Sequence, residues 1–298
     1  MIFALLTSRE ILRDLVMTLA AHPNKRYGLG LRHPVQRSTL ADAYETRDWR
    51  IWADVPAVLI KRAGKLNRDI DLGSDINDAA YALDSTIIDL CFSSFDWAHF
   101  RRVKGAVKLH TLLDLRGNIP AFILSSDGKM HKVNVLDFLP TEPGATHVRA
   151  KRNTQLRRIY PNPNNRQAGA ISDQAVAITA YAAQRHYPSQ LRRVRFKDLG
   201  VGKTFAYLTN NFLLPPLTIA ALYRNRWQVE LFFKWNKQHM RIKKFMRNGE
   251  NAVKTQIWIA VCAYVLIAIG KKKLPIEPSL YTVLQILSVS VFEITQLP

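Results

Sequence analysis

The chain has 298 residues, 48% of them hydrophobic, with 43 Lys and Arg against 23 Asp and Glu, a formal net charge of +20. That apolar content excludes full disorder and supplies a sizeable core for one domain with an insertion or for two domains. The charge is the footprint of a protein that meets polyphosphate, although a membrane-surface or ribosomal role would share it.

Cys91 and Cys262 are far apart and each lies in an apolar stretch, so they read as reduced core residues of a cytosolic protein rather than as a disulfide or zinc pair. The opening Met-Ile-Phe-Ala-Leu-Leu lacks the positive start, longer apolar region and cleavage site of a secretory signal. Residues 1–78 are expected to be a helical N-terminal part. Helical periodicity covers Ser8 to Ala20 and Leu40 to Lys65, with Ser38 or Thr39 able to cap the second helix. Trp49 and Trp52, three apart on that helix, read as core, with base stacking as the other reading.

From Ala79 the pattern changes to short β-rich runs, Tyr81 to Leu90, Val103 to Leu115 and Ala121 to Ser125, which predicts three consecutive antiparallel strands. Asp84 falls on or just after the first strand, where a carboxylate projects into a cleft or caps a turn. Asp114 and Asp127 stand in Asp-Leu-Arg-Gly and Ser-Asp-Gly contexts and read as turn residues. Lys104, Lys108 and His110 occupy alternating positions of the second strand and so share a face. Val133 to Leu139 reads as a short helical stretch.

Residues 154–217 read as a basic β-rich insertion, with β runs at Gly169 to Ala177, Leu191 to Phe196 and Lys203 to Leu208. Arg149, Lys151, Arg152, Arg157, Arg158, Arg192, Arg193 and Arg195 suit a phosphate-tracking surface, or else a solvated face. Such contacts position DNA without reading its sequence. Residues 218–298 carry a helix over 223–237 and an apolar helix over Asn251 to Lys273. The apolar run from Ile257 to Ile269, roughly thirteen residues, is shorter than the roughly twenty that span a bilayer. No membrane partner is expected.

On one continuous helix at about 100° per residue, Arg226, Glu230 and Lys237 lie at roughly 300°, 340° and 320° from Tyr223, and Lys234 and Arg241 join the same stripe. A carboxylate ringed by cations suits a site where the acid binds metal and the cations hold phosphates. The other reading is an amphipathic helix with ordinary surface ion pairs.

The order Tyr, two residues, Arg, three residues, Glu, six residues, Lys resembles the signature of bacterial insertion-sequence transposases of the DDE type, in the insertion-sequence-four family. The likeness extends over RSTLADAYETRDWRIWAD, YALDSTIIDLC, FRRVKGAVKLHTLLDLRGNIPAFI, FAYLTNNFLLP, RWQVELFFKW and ENAVKTQIWIAV. It implies an α/β fold, with an RNase H-like core, a β-rich insertion and helical N-terminal and C-terminal parts. It also implies two Asp and one Glu around two Mg²⁺ or Mn²⁺ ions, for cutting and joining DNA at transposon ends.

By this resemblance Asp84 and Glu230 are catalytic metal ligands, and Tyr223, Arg226, Lys234, Lys237 and Arg241 contact DNA. The partners would be double-stranded transposon ends and a second copy in a synaptic complex, in the bacterial cytoplasm at the nucleoid. Relatives place a strand with the second Asp between the Glu-Pro-Gly-like turn and the segment resembling Val148 to Asn153. This chain has no Asp between Asp137 and Asp173. Residues 79–153 are therefore expected to be a core lacking that strand, and the chain an N-terminally truncated, internally deleted, catalytically defective copy. The alternative is a non-catalytic DNA-binding remnant that occupies transposon ends or inhibits active copies.

Overall fold

The structure, a computed structural model, describes residues 2–67, 80–91, 93–101, 104–130, 135, 146–150, 156–163, 169–179, 190–198, 200, 202–225, 227–240, 242, 244–274 and 277–290. Its helical start has four helices, α1 (Ile2–Leu6), α2 (Leu12–Ala21), α3 (Arg37–Thr46) and α4 (Arg50–Leu66). The single helix expected from Leu40 to Lys65 is thus two, and Ser38 and Thr39 lie inside α3 instead of capping it.

The break between α3 and α4 has a tertiary cause. Asn251 donates from Nδ2 to the carbonyls of Tyr44 and Arg47, and its Oδ1 accepts the Trp49 N–H at 2.9 Å. Backbone groups orphaned where a helix ends need such partners. Trp49 stacks on Trp258 with ring centroids 6.4 Å apart, and Trp52 packs against the same core, as expected for core residues.

Alternation of apolar residues builds the strands β1 (Ala80–Leu90), β3 (Lys104–Asp114) and β4 (Ile119–Asp127). A short β2 (His99–Arg101), not foreseen, pairs with β3. The pairs β1–β3 and β3–β4 are antiparallel, as expected. Strand β5 (Thr146–Ala150) pairs in parallel with the start of β1, Ala80 opposite Thr146 and Tyr81 opposite His147.

β5 then leads into a second antiparallel sheet through β9 (Thr204–Thr209), β8 (Leu191–Lys197), β7 (Ala170–Ile178) and β6 (Leu156–Pro161), which lies at the edge. The expected β runs of the insertion are β7, β8 and β9, whereas β6 lacked a clear alternating pattern. The helical stretch expected over Val133 to Leu139 lies outside the described residues except for buried Val135.

Four helices follow or cover the sheets: α5 (Pro216–Arg224), α6 (Trp227–His239), α7 (Glu250–Lys273) and α8 (Leu280–Ser290). α7 is the centre of the main core and packs against α4, α1, α3 and α8. It is long and apolar enough to cross a membrane by length and composition, and 83% of its most apolar window is buried inside the protein. Cys262 lies there, and burial pushes its thiol up to about 12. Cys91 is the exception to the expected core cysteines: it is exposed just after β1, and a hydrogen bond with Ser93 lowers its pKa. Both are free thiols.

Candidate active site

Asp84 lies in the middle of β1 and is 8% exposed. Side chains alternate across a strand, so Asp84 shares a face with Ala80, Ala82, Ile88 and Leu90, which join Val229, Phe232 and Phe233 of α6 in the main core. The acid is therefore on the sheet face that α6 covers. The Ser85 N–H donates to its Oδ1 at 2.8 Å, and Thr111 of β3 stands directly opposite in register.

Asp114 and Asp127, expected in turns, are the last residues of β3 and β4 and brace the turns that follow. Asp114 accepts the Arg116 N–H and a forked pair of bonds from the Arg116 guanidinium, and Asp127 accepts the Met130 N–H. Lys108 and His110 do share a face; Lys108 donates to the Met130 carbonyl, and buried His110 bonds Ser126. The Lys104 side chain lies outside the described residues.

The proposed stripe is divided between two helices. α5 ends at Arg224 and α6 begins at Trp227, so Tyr223 belongs to a different helix from Glu230, Lys234 and Lys237. Tyr223 is half-buried, its ring 4.3 Å from that of Tyr207, beside a cleft of about 150 Å³ lined by Phe196, Phe205, Tyr207 and Trp227. Trp227 is 49% exposed at this cleft, whereas Trp235 packs edge-on against Tyr264. Arg226 and Arg241 lie outside the described residues.

Within α6 the geometry is tighter. Val229, Phe232, Phe233 and Asn236 are buried, and Glu230 and Lys237 flank that face at about 80–100° from Val229. Lys237 donates from Nζ to the Ile87 carbonyl of β1 at 2.7 Å. The flank bearing Glu230 is thereby the one turned toward β1. From that fixed point Glu230 lies about 10.5 Å back along the helix and Asp84 about 10 Å back along the strand. Glu230 and Lys234 are exposed.

Residues 123–266 match the family described as the transposase DDE domain. A putative transposase, y4zB, of Sinorhizobium fredii is 29% identical, over 80% of this chain and 72% of its own. A probable transposase for insertion sequence element IS5377 of Geobacillus stearothermophilus is 26% identical over 72% of this chain and 64% of its own. The chain is thus similar to bacterial DDE transposases over residues 123–266 and along most of its length. A piggyBac transposase synaptic complex with hairpin DNA, solved by cryo-EM, aligns over 97% of this chain and 79% of that one, with 11% identity and a TM-score of 0.40.

DDE transposases as a family use divalent metal ions, and Asp84 and Glu230 offer the hard oxygen donors that Mg²⁺ prefers. Among the described residues no group of three or more His, Cys, Asp or Glu comes together to hold a metal. Two carboxylates alone would fall short of the charge that two dications require.

Within residues 154–217, Arg157, Arg158 and Arg195 are exposed and Arg193 is half-buried. Arg192 departs from the expected phosphate-tracking role. It is 4% exposed and grips Asp173, itself 2% exposed, with Nη2 to Oδ2 at 2.6 Å, and it also donates to the carbonyls of Asn211 and Leu214. The alternation Arg192, Val194, Phe196 on β8 held the signal: those positions face the core that Tyr207 and Ile219 share. The side chains of Arg149, Lys151 and Arg152 lie outside the described residues.

Proposed function

We propose that this chain is an insertion-sequence transposase of the insertion-sequence-four kind, which binds duplex DNA at transposon ends and, as it stands, holds that DNA without cutting it. The observation that carries the reading is the tie between the Asp84 strand and the Glu230 helix through Lys237 and Ile87. That tie supports reading the acids of the two elements together. The antiparallel order of β1, β3 and β4 with β5 parallel to β1 suits an RNase H-like core. The division into 1–78, 79–153, 154–217 and 218–298 belongs to the same reading.

Asp84 and Glu230 would hold the divalent ion, Mg²⁺ or Mn²⁺, two such ions in an intact relative. A bound ion would supply Lewis acidity at the phosphate to be cut. Lys234, Arg226 and Arg241 would meet phosphates, Tyr223 would stack on or bond the strand beside its cleft, and Lys237 would serve DNA only where it can leave Ile87.

Loss of cutting is supported by β5. The strand beside β1 is Thr-His-Val-Arg-Ala, with no carboxylate. Backbone pairing accepts any extended segment, so β5 takes the neighbouring place without supplying an acid.

Duplex binding tests the reading. If about six phosphates are neutralised, log Kobs should fall against log salt with a slope near −5 and little preference among sequences. An isotherm unchanged between low and physiological salt would remove DNA as the partner.

A further inference from the structure

Thr111 is 0% exposed, and its hydroxyl is buried without a hydrogen-bond partner among the described residues. In the β1–β3 register it stands directly opposite Asp84. Residues opposite one another in an antiparallel pair send their side chains to the same face, with Cβ atoms about 4.5–5.5 Å apart. That separation lets a hydroxyl and a carboxylate meet after one staggered χ1 change. Packing does not explain the residue type. Leu109 and Leu113 lie beside Thr111 on its strand, and Ile123 lies across from it on β4. Val would fill the same volume there without an unmade hydrogen bond, which is expensive when buried.

We infer that Thr111 is a positioning residue for Asp84: its hydroxyl donates to the Asp84 carboxylate when that carboxylate takes a divalent cation, fixing the orientation in which it ligates. This rests on the reading of Asp84 as a metal ligand. The Ser85 N–H already holds Oδ1, and Thr111 adds a second anchor from the neighbouring strand. Outer partners of this kind orient ligating carboxylates, and losing one typically costs about 10–100-fold in metal affinity.

The test is Mn²⁺ binding to the full chain, followed by the electron paramagnetic resonance signal of the free ion, alongside Tm. Thr111→Val should weaken Mn²⁺ binding about tenfold or more, with Tm unchanged or higher because an orphan hydroxyl is gone. Thr111→Ser keeps the hydroxyl, so it should retain the parental affinity while its Tm falls from the lost methyl. The two variants thus rank oppositely in affinity and in stability, which a packing role alone does not produce. Parental Mn²⁺ affinity in Thr111→Val overturns the inference. Asp84→Asn separates the two levels: if it abolishes binding while Thr111→Val does not weaken it, only the positioning role fails. If Asp84→Asn binds Mn²⁺ as the parent does, the ligand reading fails and the positioning role with it.

Discussion

Two arginines three residues apart on one strand, Arg192 and Arg195, do opposite things because they point to opposite faces. Arg192 is buried with Asp173, Asn162 and the carbonyls of Asn211 and Leu214, so it ties β7 and β8 to the loop that leads into α5. Removing one partner of a buried ion pair strands the other charge. Arg192→Leu should therefore cost about 3–5 kcal/mol in urea unfolding, and Arg192→Met combined with Asp173→Leu should recover most of it. Arg195 is exposed. Arg195→Ala should leave the unfolding midpoint in place and reduce the salt slope of DNA binding by about 1. A parental midpoint in Arg192→Leu would show that the buried pair contributes nothing, and an unchanged slope in Arg195→Ala would take that face away from DNA.

At the scale of elements, α7 organises its neighbours by side chains as well as by bulk. Gln256 accepts the Met246 N–H and donates to the Lys244 carbonyl, holding the segment that returns from α6. Asn251 does the same for the turn between α3 and α4. Replacing Asn251 by Leu leaves one N–H and two carbonyls of that turn without their partner, each worth about 1 kcal/mol or more when satisfied. The expected loss is about 2–3 kcal/mol, read as a lower urea midpoint at constant m. An unchanged midpoint would mean that the α3 terminus makes the break unaided. The Lys237–Ile87 bond is the corresponding fastener for α6, and it explains why the flank with Glu230 faces the Asp84 strand although Glu230 itself is exposed.

For the whole molecule, the question is whether two acids on joined elements suffice for chemistry. Three carboxylates offset the mutual repulsion of two dications, and two do not. A supercoiled plasmid carrying the element's ends should stay uncut by this chain with Mg²⁺ or Mn²⁺. Glu230→Gln should leave DNA binding nearly as in the parent, because it removes no phosphate donor. Cutting by the unaltered chain that disappears on Asp84→Asn would show that a further acid completes the site, and the loss of activity proposed above would be withdrawn.

Local pattern alone determined the character of most segments: β1, β3 and β4 from alternation, the basic β runs of the insertion, the apolar α7, Asp84 on a strand and Glu230 on a helix. These follow from side-chain periodicities that repeat within a few residues. The tertiary structure decided the rest. It broke the long N-terminal helix through Asn251, some 202 residues from Trp49, and divided the Tyr223 stripe between α5 and α6. It also buried Arg192 in an ion pair, left Cys91 and Trp227 exposed, and laid β5 beside β1. Each of these depends on which distant group satisfies a backbone or charged atom, and no spacing along the chain encodes that partner.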